Sequence, residues 1–589
     1  MSGIVGIVGA RGPIETHTVV AMRDRLAHRG PDDAGLAFSR DGRTAFGHRR
    51  LAILDPTAAG RQPMWNRART LLVAASGGIT NYRELAAELA GAGYTFVTRS
   101  DVEVLAAALE HWGLEAIERL RGAFAFALWS EETGECVLVR DRLGVKPLYY
   151  AVIDGALHFA SEATALLAAP GCPRDLDLAS LGDYLAYGYV PGERSIWRSI
   201  RKLPPAHLLV FSQGEARTRR YWTPPSGPDS SAPVDPAAFR TELEEAIRLA
   251  MISDVPVGAF LSGGLDSSAV VALMSATGET VTSYTFNFNK LDSSHRPGPD
   301  RSEAVYAREV AKRCGTDHRE RHVVLDRSID ALARVVGSYD EPIADESITP
   351  TFFLAEEVAS DMKVVVSGEG GSVIFGSGDR RYGRPGWIER TGLFGDPGPE
   401  SVFRRVGFFD AASRGALLDP AFGGEMEADP LWLFRTHWRP ELPLPRRLQI
   451  LHLHTVLPDR ILARVDRAGM RHALDTRLPL LDHHLVEHAL RLPVKAMARE
   501  EEGERLLRAA AGDRLPAPMP ASGRGEPGWQ ESGPLSNPLA ARLRSGELVR
   551  RGLVRRQAIE DLLARPSGRN SRRAWLLLTL DLWLETHLS

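Results

Sequence analysis

FLSGGLDSS, residues 260–268, decides the fold of the larger part of this chain. It lies between an apolar run, VPVGAFL (255–261), and a helix-patterned run, LDSSAVVALMSA (265–276). A buried strand that turns sharply into a helix presents successive backbone N–H groups and a helix N-terminus to one point, which is an anion site. Ser262, Gly263 and Gly264 permit the tight turn, and Ser267 and Ser268 add hydroxyl donors. Asp266 stands too near such an anion to be useful unless it holds Mg²⁺, a cation that commonly takes one or two carboxylates plus phosphate oxygens. The loop is not the G-x-x-x-x-G-K-[ST] pattern.

Working outward, VTSYTFNF (281–288) reads as a strand, EAVYAREVAKRC (303–314) as a helix and KVVVS (363–367) as another buried strand. This alternation predicts an α/β doubly wound parallel sheet. A helix is expected over 238–251, and from about residue 440 the chain reads as mainly helical, broken by a Pro/Gly-rich loop at 516–534 that is expected to be mobile. Upstream, WTPPSGPDSSAPVDP (222–236) is a linker by composition. Residues 1–221 before it carry short apolar runs, GIVGIVG, LLVAAS, FAFALW, CVLVRD and ALHFAS, with helical spacing at 84–92 and 101–112. That is a strand-rich α+β domain. Residues 237–589 form the second domain.

The composition is that of a soluble globular chain, 44% apolar and 25% charged, with a formal net charge of −3. Nothing in it calls for a nucleic acid or a membrane. The three cysteines, Cys136, Cys172 and Cys314, form neither a disulfide framework nor a metal pair. The start, MSGIVGIVGA, reads as a strand rather than a signal peptide, so the expected compartment is the cytoplasm. Of 72 basic residues only six are lysine, and the last is Lys495.

The phosphate loop resembles that of enzymes that split ATP into AMP and pyrophosphate, and further strings carry a closer resemblance. LAHRGPDDAG (26–35), GHRRLAILD (47–55), RDRLGVKPLYY (140–150), FASEATALL (159–167) and YGYVPGERSIWRSIRKLPPAHLLVF (187–211) precede the linker. FLSGGLDSS, DEPIADESITPT (340–351), VVSGEGG (365–371), DRAGMRHALDTRLPLLD (466–482) and ERLLR (504–508) follow it. In this order they resemble the asparagine synthetase family of class II glutamine amidotransferases. The resemblance implies an N-terminal-nucleophile (Ntn) hydrolase-like sandwich that releases ammonia from glutamine. An ATP-pyrophosphatase domain would then adenylate a carboxylate and let an amine displace AMP. ATP and Mg²⁺ are the implied cofactors. Leu261, Ser262, Gly263, Gly264, Asp266, Ser267, Ser268, Phe286, Ser367 and Gly368 are the implied ATP-binding residues. Asp266 is the implied metal ligand, and Glu369 the implied catalytic residue that handles protons of the attacking amine.

The sequence also departs from the family. The nucleophilic Cys at position 2 is Ser2, a far weaker nucleophile near neutral pH. The Asn-Gly-Glu motif reads Ser76-Gly77-Gly78, which removes an oxyanion donor and a carboxylate of the glutamine clamp. Arg50, Gly77 and Asp101 remain of the glutamine site. In the synthetase half, Ser372 replaces a metal-binding Asp, Val373 replaces the Glu after it, and Glu504 stands where the family keeps a Lys before Arg508. The stretch 519–525 lacks the usual basic residues. His484 and His488 have i, i+4 spacing but match a family helix and read as packed or solvated. His452 and His454 point to different helix faces. The run Arg380–Arg381 beside Tyr382 is a candidate phosphate contact.

Three readings follow. The first is an amide-forming ligase that adenylates a small-molecule carboxylic acid or peptide and accepts ammonia or an amine, without hydrolysing glutamine. In this it resembles β-lactam synthetases and lasso-peptide cyclases. The second is a catalytically silent partner of an active paralogue, and the third a glutamine-dependent asparagine synthetase. The expected assembly is a homodimer or a hetero-oligomer with a paralogue.

Overall fold

In the computed structural model, residues 2–225, 235–288, 303–323, 328–375, 397–422, 429–493, 500–516, 537–565 and 567–588 are described. The run Arg380–Tyr382, the stretch 519–525 and nearly all of the loop 516–534 lie outside them, as does most of the 222–236 linker.

The N-terminal half is a sandwich of two antiparallel six-stranded sheets. Alternation along the strands builds it, because successive side chains in a strand point to opposite faces. In the first strand, Ser2–Val8, Ile4 and Val8 face inward with Phe46 and Phe159 of the same sheet and pack on Leu72, Ala125 and Leu138 of the second. Val5 and Ile7 point the other way, into a helical layer with Val19 and Met22. Gly6 sits beneath the edge-to-face rings of Phe46 and Phe159, where an added Cβ would lie 2.3 Å from Phe159. The outer face of the second sheet is covered by helices Tyr82–Gly91 and Asp101–Trp112. All five apolar runs noted upstream of the linker lie in these strands.

The second half is a five-stranded parallel sheet in the spatial order Asp317–Val323, Thr282–Phe288, Val257–Phe260, Val364–Val366, Asp475–Arg477. The chain starts in the middle strand, winds outward on one side, then returns to the other. The order therefore reverses between Val257–Phe260 and Val364–Val366. In doubly wound sheets that switch point opens the ligand crevice at the carboxyl ends of the strands. The flanking strands Asp317–Val323 and Asp475–Arg477 have no counterpart in the sequence reading. The first spells DHRERHV, too charged for an apolar run, and the second is three residues long.

A 21-residue helix, Gly568–Leu588, buries Trp575 and Trp583. Its Trp583 packs on Trp197 of the N-terminal half, ring centroids 5.5 Å apart, so one core spans both halves. Among the described residues no helix is long and apolar enough to cross a membrane.

Candidate functional sites

Two sites emerge. The first lies at the open end of the sandwich, where strand pairing sets Ser2 opposite Arg50. The neighbouring strand Leu71–Ile79 brings Gly77 and Gly78 alongside. Asp101, at the first turn of helix Asp101–Trp112, accepts the Ile79 amide at 2.9 Å. Burial pushes the Asp101 carboxyl above its ordinary value, against the pull of that amide. Ser2, Arg50, Gly77, Gly78 and Asp101 all line one cavity of about 140 Å³, whose lining also includes Arg477, Asp482 and His483 of the second half. Gly77 has φ +104°, and a Cβ there would lie 2.1 Å from the Ala123 carbonyl, so only glycine fits. Around Gly78 the nearest atom to an added Cβ is Asp101 Oδ2 at 3.8 Å, so the space for a side chain is open.

Ser76 behaves differently. It is fully buried, and its hydroxyl donates to the main-chain oxygen of Ser2 at 2.6 Å. The Arg29 guanidinium donates to the same oxygen at 3.3 Å. The Arg50 guanidinium donates to the carbonyls of Thr57 (2.8 Å), Leu54 (3.1 Å) and Asp55.

The second site occupies the switch point of the parallel sheet. Two loops meet there: Leu261–Ser268 after the middle strand, and Ser367–Gly371 after Val364–Val366. They touch so closely that a Cβ on Gly368 would lie 2.6 Å from the Ser267 amide nitrogen, and one on Gly371 would lie 2.7 Å from Asp266 Oδ2. Gly263 has φ +88°, and its Cβ would strike the Glu303 carbonyl at 2.0 Å. Ser262 and Ser267 are joined through their hydroxyls at 3.0 Å, and the Ser262 hydroxyl accepts the Gly264 amide at 3.2 Å. Glu369 donates its amide to Ser367 Oγ at 3.1 Å. Phe286, at the carboxyl end of the adjacent strand, packs edge-on against Phe260 with centroids 6.0 Å apart.

Asp266 tests the fit to a cation. It sits in the first turn of helix Leu265–Ala276, and among the described residues burial and two acids, not a donor or a cation, act on its carboxylate. Burial, then Glu369, then Glu504 push it up to about 7. A carboxylate pressed by two others, with no donor of its own, suits a divalent ion carried in with phosphates. Asp266 would be the protein ligand to such an ion, Mg²⁺ being the candidate.

Ser2, Arg50, Gly77 and Asp101 thus line one cavity, and Asp266 and Ser267 meet Gly368 and Gly371 in the second site; the sequence reading missed a neighbour of each. Besides the Ser76 bond, it missed Arg464, whose Nη2 lies 3.0 Å from Glu369 Oε2. The histidines make local contacts: His488 Nδ1 is 3.1 Å from Glu242, and the rings of His483 and His484 lie 4.2 Å apart, tilted by 36°. Among the described residues no group of three or more His, Cys, Asp or Glu side chains is arranged to hold a metal.

Residues 1–222 match the glutamine amidotransferase domain family, and residues 238–585 match the asparagine synthase family. Asparagine synthetase [glutamine-hydrolyzing] 1 of Bacillus subtilis is 28% identical, over 88% of this chain and 85% of that protein. A putative asparagine synthetase [glutamine-hydrolyzing] of Mycobacterium bovis is 30% identical, over 98% of this chain and 95% of that protein. Asparagine synthetase [glutamine-hydrolyzing] 2 of Oryza sativa is 34% identical, over 64% of this chain and 59% of that protein.

Proposed function

This chain belongs to the asparagine synthetase family, and from that premise we propose that it is an ATP-dependent carbon–nitrogen ligase that takes its nitrogen from free ammonia or an amine rather than from glutamine. The observation that carries the ligase reading is the meeting of the Leu261–Ser268 and Ser367–Gly371 loops at the switch point, around the bare carboxylate of Asp266.

The chemistry runs in two steps. A carboxylate oxygen of the acyl substrate attacks the α-phosphorus of ATP. The bond from that phosphorus to the β-phosphate's bridging oxygen breaks, and pyrophosphate leaves. The nitrogen donor then attacks the acyl carbon, the acyl–oxygen bond to AMP breaks, and the nitrogen's proton passes to Glu369. The amides of the Ser262–Gly264 turn and the hydroxyls of Ser267 and Ser268 hold the departing pyrophosphate. Leu261, Phe286, Ser367 and Gly368 frame the nucleotide. Mg²⁺, when bound at Asp266, supplies charge neutralisation. Aspartate is the default acyl substrate, and a specialised-metabolite or peptide carboxylate is the rival. The proposed setting is the cytoplasm.

Loss of glutamine hydrolysis rests on the first site. Ser2 offers a hydroxyl in place of a thiolate. Ser76 spends its hydroxyl on the Ser2 carbonyl, and Gly78 leaves the amino-group clamp to Asp101 alone. Losing one oxyanion donor typically costs about 10²–10³ in rate. A silent partner of an active paralogue is the second reading. It is favoured by Glu504, which adds negative charge toward Asp266 where the family keeps a cation. ATP–pyrophosphate exchange with Mg²⁺ across a panel of carboxylic acids separates them: exchange with at least one acid supports the ligase, and no exchange together with no ATP binding refutes it.

A further inference from the structure

The crevice at the switch point has an electrostatic problem. Asp266, Glu369 and Glu504 all bear on one space into which ATP must bring a polyanion, and position 504 is acidic rather than cationic. No lysine follows Lys495. A cation reaches this cluster from elsewhere in the chain. Arg464 stands in the first turn of helix Ala463–Arg471, directly after a π-helical turn, Leu457–Leu462. Its guanidinium is largely buried, with a side-chain exposure of 9%, and lies 3.0 Å from Glu369 Oε2 and 4.0 Å from Asp345 Oδ2. Asp345 is itself held by Arg460 at 2.9 Å. The helix is fixed on its other face by Asp466 and Arg467, which form buried ion pairs with Arg29 and Asp340. Such π-helical turns often mark functional positions, because the extra residue re-aims the side chains that follow.

We propose that Arg464 is the positioning residue for Glu369: its guanidinium neutralises that carboxylate and holds it beside the phosphate loop, supplying from helix Ala463–Arg471 the positive charge that residue 504 lacks. The inference rests on the ligase reading and adds to it. An unneutralised Glu369 would repel the triphosphate and would be free to swing toward any cation in the crevice. A guanidinium suits the task because it is always charged and its fork can bridge two carboxylates, here Glu369 and Asp345.

The test is ATP binding by calorimetry in excess MgCl₂, which needs no knowledge of the acyl substrate. R464Q is expected to weaken ATP by about five- to tenfold, the scale of one unscreened like charge near a partly buried site. R464K is expected to stay within about twofold of the wild type, and the double variant R464Q/E369Q to recover to within about twofold of E369Q alone. Thermal unfolding of each variant reports whether it is folded. If R464Q does not fold, E369Q alone decides, and it should bind ATP at least about twofold more tightly than the wild type. The proposal is overturned if R464Q binds as the wild type does, if the double variant stays as weak as R464Q, or if E369Q gains nothing. Wild-type protein that binds no ATP removes the ligase reading and this proposal together. Wild-type binding that is indifferent to R464Q removes only the proposal.

Discussion

Ser76 Oγ donates to the main-chain oxygen of Ser2 across 2.6 Å, inside a fully buried site. On the proposed assignment, the residue at the family's oxyanion position is thus tied to the backbone of Ser2, and it does not line the cavity that Ser2, Arg50 and Asp101 share. One change at position 2 therefore cannot restore hydrolysis. S2C alone is expected to release glutamate from glutamine at least about 100-fold more slowly than S2C/S76N/G78E, following the usual cost of a missing oxyanion donor. Equal rates for the two variants would contradict the assignment of Ser76.

Asp266 predicts a pH dependence. Its pKa in the folded chain is about 7, against an ordinary 3.8, because burial, Glu369 and Glu504 all disfavour its charge. The native state thus binds this proton more readily than the unfolded chain. The group's contribution to stability is in place below about pH 4 and is lost as pH rises toward 7. A cation must displace the same proton, so ATP affinity in excess Mg²⁺ should rise with pH up to about 7 and level off above it. D266N should bind more weakly and follow only the titration of ATP itself. Calorimetry at a series of pH values checks this, and parallel curves for the two proteins would contradict it.

Much of this could be read along the chain. A pattern such as S-G-G-x-D-S-S names its own geometry, because tight turns, strand ends and helix starts are local. The apolar runs found their strands for the same reason. What stayed hidden depends on packing between distant segments. Arg464 and Glu369 lie far apart in sequence and meet only because helix Ala463–Arg471 is docked against the sheet. Strand Asp317–Val323 escaped notice because its charged side chains are satisfied at a sheet edge by neighbours such as Asp361, with Arg319 and Arg321 at 2.9 and 2.7 Å. The turn of the Ser76 hydroxyl toward Ser2 is a rotamer choice that no spacing encodes.

The joint between the halves should be sensitive to one charge. Burial alone would raise the Asp466 pKa, but Arg29, Lys146 and Arg467 outweigh it and bring it down to about 2. The pair Arg29–Asp466, 2.8 Å apart, therefore contributes fully above about pH 4, and its contribution is lost as pH falls toward 2. D466N leaves Arg29 buried and short of a counter-charge, and should destabilise the chain by about 3–5 kcal/mol. Denaturant unfolding at pH 7 measures it, and a loss below about 1 kcal/mol would refute the role given to this pair.

The central claim is a ligase that does not use glutamine. Its most direct test compares nitrogen donors in one assay: AMP and amide formed from ATP, Mg²⁺ and an acid that supports pyrophosphate exchange, with either ammonium or glutamine supplied. The account predicts product with ammonium or an amine, and neither amide nor glutamate with glutamine. Glutamate released in step with amide when glutamine is the only donor would contradict it.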